Sequence, residues 1–144
     1  MYVEVTGTVH SEKLVYLAKF QGIQMQVDEI RVFIPSKDYA VSKRFYQALG
    51  FNMEYVSEDL TLFDNGNCFF FLQRFYNQEF AENLMMQLSV LDIEEVFERV
   101  ERLEGFDIKF EPISQQRWGK VFYLWGPSGE LWHITQFNSH TNPQ

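Results

Sequence analysis

His133 stands in the apolar run Leu131-Trp132-His133-Ile134-Thr135-Gln136, and its imidazole can donate, accept or coordinate near neutral pH. It either meets a ligand group or is a histidine satisfied within its own strand. Arg31 is a second polar group in apolar surroundings. A guanidinium is costly in a closed interior, so Arg31 must face an open concavity or a carboxylate, or sit solvated at a strand end; facing a concavity, it can hold an anionic group. Trp118, Tyr123 and Phe33 offer ring faces for planar or cationic groups. Trp118 can equally lie at a subunit seam, and for Tyr123, with Trp125 on the same strand face, filling a core is favoured over lining a concavity. No nucleophile stands beside an evident base. A metal-free reaction would therefore rest on His133 acting as acid or base beside Arg31, and no catalytic residue is assigned.

The elements that must position these groups follow from the pattern. Residues 121–125 and 131–136 are rich in β-branched and aromatic residues and flank Gly126-Pro127-Ser128-Gly129, which reads as a hairpin. All three tryptophans of the chain fall within 118–136. Alternation places Leu131, His133 and Thr135 on one face and Trp132, Ile134 and Gln136 on the other, with Trp132 turned toward a helix.

Upstream, 27–34 alternates as a strand ended by Pro35. Asp38 caps a helix with Val41, Phe45, Ala48 and Leu49 on one face, and Gly50 closes it. Strands over 51–56 and 60–63 follow, and Asp64-Asn65-Gly66 turns the chain into a strand over 68–74. A linker over 75–83 separates this from a second pass: a strand over 85–90, a helix capped by Asp92 with Glu95 placed for a capping box, Gly105 as its stop, a strand over 107–113, a polar loop over 114–117, and the hairpin. Both passes read β-α-β-β-β. Gly50-Phe51 and Gly105-Phe106 follow the helices, and Gln73 and Gln136 end the last strands. Each half-sheet has one apolar face to bury, so neither module is expected to stand alone.

The expected boundaries are an N-terminal extension over 1–25, with a strand at 2–9 and a helix from Ser11 to Gly22, modules over 26–76 and 85–137, a linker over 77–84 and a tail over 138–144. A chain of 144 residues with 46% hydrophobic content can bury one core. The net charge of −8 excludes the clustered cations that nucleic-acid binding needs and favours cationic ligands. The acidic run on the second helix reads as a solvated face. A single cysteine, Cys68, gives no internal disulfide, and charges interrupt the N-terminal apolar residues, so the expectation is a cytoplasmic protein with no membrane partner.

With Phe45-Tyr46-Gln47-Ala48-Leu49-Gly50-Phe51 after the first strand and Gly126-Pro127-Ser128-Gly129 before the last, the doubled module resembles the glyoxalase, bleomycin-resistance and extradiol-dioxygenase superfamily, the vicinal oxygen chelate fold, over residues 27–137. The resemblance implies an α+β fold in which two tandem βαβββ modules form one eight-stranded half-open cup with helices outside, often as a homodimer with its ligand in the cup. The family's metal positions map to Arg31, Phe70, Met85 or Met86, and His133. Of these only His133 ligates a first-row metal well, so no metal or other cofactor is expected, although Gln73, Gln87 and Gln136 stand nearby. Trp118, Gly119, Lys120, Phe122 and His133 resemble the bleomycin-resistance branch in particular. The Gly126-Pro127 turn, usually Asp-Pro in the family, and the N-terminal extension depart from it. The implied function is metal-independent sequestration of a cationic or aromatic small molecule, as in antibiotic resistance, at Arg31, Phe33, Phe70, Gln87, Trp118, Tyr123 and His133. The alternative is a glyoxalase-like lyase or a dioxygenase-type enzyme.

Overall fold

The computed structural model describes residues 24–139. The strand and helix expected within 2–22 lie outside the described residues. The chain divides into two compact units, Met1–Ile30 and Arg31–Gln144. Of the first, residues 24–30 carry no helix or strand. The second contains both modules.

Module one runs β1 (Phe33–Pro35), α1 (Tyr39–Leu49), β2 (Asn52–Ser57), β3 (Leu60–Asn65) and β4 (Cys68–Gln73). Asp38 caps α1 by accepting from the Val41 N–H at 3.1 Å. Gly50 ends the helix at φ 124°, where a side chain would be strained. β1 is shorter than the expected 27–34 because its parallel ladder with β4 spans only Phe33 to Pro35, paired with Phe71 to Gln73. The sheet order is β1-β4-β3-β2.

A short helix α2 (Gln78–Asn83) joins the modules where a plain linker was expected. Asn77 caps it, its Oδ1 accepting from the Phe80 N–H at 2.8 Å, but six residues are too few to show an apolar stripe. Module two is β5 (Met85–Ser89), α3 (Ile93–Glu101), β6 (Lys109–Phe110), β7 (Ser114–Gln116), β8 (Gly119–Trp125) and β9 (Leu131–Phe137). The strand expected over 107–113 is reduced to β6, and the loop expected over 114–117 instead supplies β7. Pro112 lies between them and has no N–H to give to the ladder on β8. Asp92 caps α3 as expected, whereas Glu95 turns down the helix to Arg99 at 3.1 Å and leaves the capping box half made.

The α+β class and the doubled module hold, with one difference in detail: the strands, nine among the described residues, form a four-stranded and a five-stranded sheet rather than one of eight. The sheets are joined by packing. Ile34, Phe45, Tyr46, Phe63, Phe70 and Leu72 from module one and Ile93, Phe122, Leu124, Trp132 and Ile134 from module two form a continuous buried cluster. Tyr46 meets Trp132 at 5.9 Å between ring centroids, and Phe45 meets Phe106 at 5.6 Å. The two modules thus share one core.

Candidate functional site

Alternation divides each sheet into a core face and an open face. On β8 and β9, Phe122, Leu124, Trp132 and Ile134 are buried, while Tyr123, Trp125, Leu131 and His133 remain partly exposed. Strand register then sets three expected site residues in one row: Gln87 of β5 lies opposite His133 of β9, which lies opposite Tyr123 of β8. The Tyr123 and His133 rings meet edge to face at 4.8 Å. Trp125 follows at 6.4 Å from Tyr123, and the Lys109 ammonium sits 4.6 Å from the Trp125 ring centre. Farther along β9, Thr135 is buried and its hydroxyl has no hydrogen-bond partner among the described residues.

Arg31 and Phe33 lie on the other sheet. Phe33 stacks on Phe71 at 4.7 Å, and the Arg31 guanidinium lies 4.9 Å from the Phe69 ring centre and 5.4 Å from that of Phe71. The arginine thus rests on an aromatic surface. Glu54 and Leu62 continue the Phe71 row across β2 and β3.

Two expected site residues are placed differently. Phe70, expected to touch ligand, is 4% exposed and stacks on Phe63 at 5.3 Å within the core. The period-2 pleat of β4 explains this, since Phe69 and Phe71 take the open face and Phe70 must take the other. Trp118 stands in the turn before β8 and packs on Phe137 at 5.4 Å, at the opposite end of that strand from Trp125.

The residues at the family's metal positions do not fit a metal. Arg31 holds its protons, Phe70 has no donor atom and lies in the core, and Met85 or Met86 offers only a thioether, leaving His133. Among the described residues no three His, Cys, Asp or Glu side chains come together in a metal-holding group.

Sequence reasoning missed a buried polar centre behind the row of Gln87, His133 and Tyr123. Glu130, with no exposed surface, accepts from the Tyr46 hydroxyl at 2.5 Å and from the Ser128 N–H at 2.9 Å. The Trp132 indole N–H donates to the Tyr46 oxygen at 3.0 Å. Burial raises the Glu130 carboxyl above the ordinary carboxylate range, partly offset by the bonds from Tyr46 and Ser128. Burial, and then the neighbouring Glu130 charge, push the Tyr46 phenol well up. A Cβ on Gly126 would stand 2.7 Å from the Glu130 carboxyl, so the turn needs glycine there. The Ser128 hydroxyl accepts from the Lys37 N–H at 2.8 Å, tying the same turn to module one. A signal existed in the acidic residue directly after Pro-Ser-Gly, at the mouth of an otherwise apolar strand.

Concavities among the described residues include two of note. One, of about 430 Å³, lies against the 126–129 turn, with Lys37, Asp107, Lys109 and Trp125 in its wall. Trp125 and Lys109 also end the His133 face, so this hollow adjoins it. The other, of about 390 Å³, lies between Leu49–Phe51 and 88–92, with Cys68 and Arg99 in its wall.

No protein-family model matches the sequence, and no curated protein matches it closely. Solved structures do. The bleomycin-binding protein from bleomycin-producing Streptomyces verticillus, complexed with copper(II)-bleomycin, superposes with a TM-score of 0.67 at 19% identity, covering 80% of this chain and 100% of that one. TnmS3, an antibiotic binding protein from Streptomyces sp. CB03234, gives 0.67 at 16% identity over 80% and 100%. FosX, a fosfomycin resistance protein from Listeria monocytogenes, gives 0.66 at 13% identity over 81% and 98%. The class is thereby defined: this chain has the vicinal oxygen chelate fold of the glyoxalase, bleomycin-resistance and dioxygenase proteins. At these identities the likeness is one of fold.

Proposed function

We propose that this protein binds and sequesters a small aromatic compound carrying a cationic group, without metal and without altering it. One observation carries the reading. Gln87, His133, Tyr123 and Trp125 stand side by side on a partly exposed sheet face and combine ring surface with two polar groups able to fix orientation. The net charge of −8 draws cations over long range, and the Lys109 ammonium over Trp125 supports a cation-binding character for this indole face. The fold is shared with proteins named for binding bleomycin and another antibiotic, and such a role asks for a shaped surface rather than a reacting centre. Arg31 and Phe33 supply a second aromatic patch for the ligand, and a second copy of the chain covers the open faces in a homodimer.

The experiment is a thermal-shift screen of bleomycin-like glycopeptides, other cationic aromatics and glutathione conjugates. A ligand present at 100 times its dissociation constant adds about 2.7 kcal/mol of stability. Cationic aromatics are expected to raise the melting temperature. If they give no shift while a glutathione hemithioacetal is turned over, the lyase reading replaces this one.

A further inference from the structure

Glu130 is a fully buried carboxyl, and among the described residues no basic side chain pairs with it. Its hydrogen-bond partners are the Tyr46 hydroxyl of α1 and the Ser128 N–H of its own turn. Tyr46 in turn receives the Trp132 indole. This chain of bonds crosses from module one to module two at the start of β9, the strand that carries His133, and the Lys37 N–H to Ser128 bond braces the same turn. Charged groups also stand about the turn. Lys37, Glu82, Asp107 and Lys109 line the hollow against the 126–129 turn, and Glu82 packs against Gly129 from α2. Two donors compensate a buried anion only in part, and no ion pair among the described residues relieves it.

We propose that Glu130, Tyr46 and Trp132 form a proton-dependent latch between the two modules: with Glu130 neutral the 126–130 turn is held down on α1, and ionisation of Glu130 loosens it. The driving force is desolvation, because the carboxylate regains its hydration only if the turn lifts and water reaches it. The direction of the Glu130 shift agrees, since burial favours the protonated form. In linkage terms, the folded pKa lies above the unfolded one, so the folded state binds the proton more tightly. The stability this contributes is complete below the ordinary glutamate pKa and is lost as pH rises through the raised folded value. The latch belongs to the shared core and does not depend on what the open face binds.

The test follows thermal unfolding of the full chain from pH 4 to pH 9 for the native protein and for Glu130→Gln, which keeps the shape and cannot ionise. The other titrating groups act on both proteins alike, so the difference between the two curves isolates Glu130. The native midpoint is expected to fall relative to the variant as pH rises. In the native protein alone, the Trp132 indole N–H resonance is expected to shift with the same midpoint, because its acceptor is bonded to the titrating group. Parallel pH curves, or an indole resonance that does not move over the range, overturn the latch. Should Glu130→Gln fail to fold, the native indole titration decides by itself.

Discussion

Tyr46→Phe deletes one oxygen on which two partners depend, the Glu130 carboxyl and the Trp132 indole N–H. The ring fits unchanged, so the loss is one of hydrogen bonding. Each buried group left without its partner costs about 1–3 kcal/mol, and chemical denaturation should show Tyr46→Phe destabilised by about 3 kcal/mol with an unaltered denaturant slope. Phe70→Ala separates core from site in a different way. It should cost about 3–5 kcal/mol of stability, the price of a cavity among Phe63, Tyr46 and Trp132. Ligand affinity measured well below its melting temperature should stay as in the native protein. At the open face the pattern reverses. Tyr123→Ala should leave folding close to native and weaken a bound cationic aromatic by about tenfold, the loss of one ring contact worth about 1.4 kcal/mol, as read by titration calorimetry.

At the scale of elements, the β8–β9 hairpin is where sequence and structure agree most fully. Its alternation set Trp132 toward a helix and His133 on the opposite strand face; the buried indole, bonded to Tyr46 of α1, and the partly exposed imidazole agree with it. The turn is tight for a definite reason. Gly126→Ala sets a methyl 2.7 Å from the Glu130 carboxyl, and Gly119→Ala sets one 2.2 Å from the Gln136 carbonyl on β9. Backbone cannot retreat as a flexible side chain can, so calorimetric melting should show Gly119→Ala as the more damaging of the two. Helices α1 and α3 were legible because their caps are local signals, although Tyr39, Ser42 and Tyr46, rather than Val41 and Ala48, join Phe45 and Leu49 on the buried face of α1. Local pattern failed where non-local pairing decides. The register with β4 limits β1 to three residues, the strand expected over 107–113 pairs only at Lys109 and Phe110, and residues expected as a loop pair with β8 as β7. Phe70 shows the same limit at the site: aromatic residues stand at 69, 70 and 71, and only the phase of the pleat tells which of them is core.

For the whole molecule, the doubled module was visible in the matched glycines and final glutamines. The bond network joining the halves was not, because Tyr46 and Glu130 are 84 residues apart and meet only once the core forms. The open faces make an assembly prediction. Phe33, Val56 and Met85 are exposed large side chains of β1, β2 and β5, and apolar sheet surface of this kind is commonly covered by a second copy. Light scattering at micromolar concentration is expected to give twice the chain mass, and a monomer mass would count against dimerisation. The central claim is that the His133 face holds an aromatic cation and returns it unchanged without a metal. Equilibrium dialysis of chelator-treated protein against a bleomycin-like glycopeptide, with mass spectrometry of the compound released on denaturation, tests it most directly. The account predicts saturable binding, weakened in His133→Ala and Tyr123→Ala, and full recovery of the compound at its original mass; no binding, or a compound released with a changed mass, would contradict it.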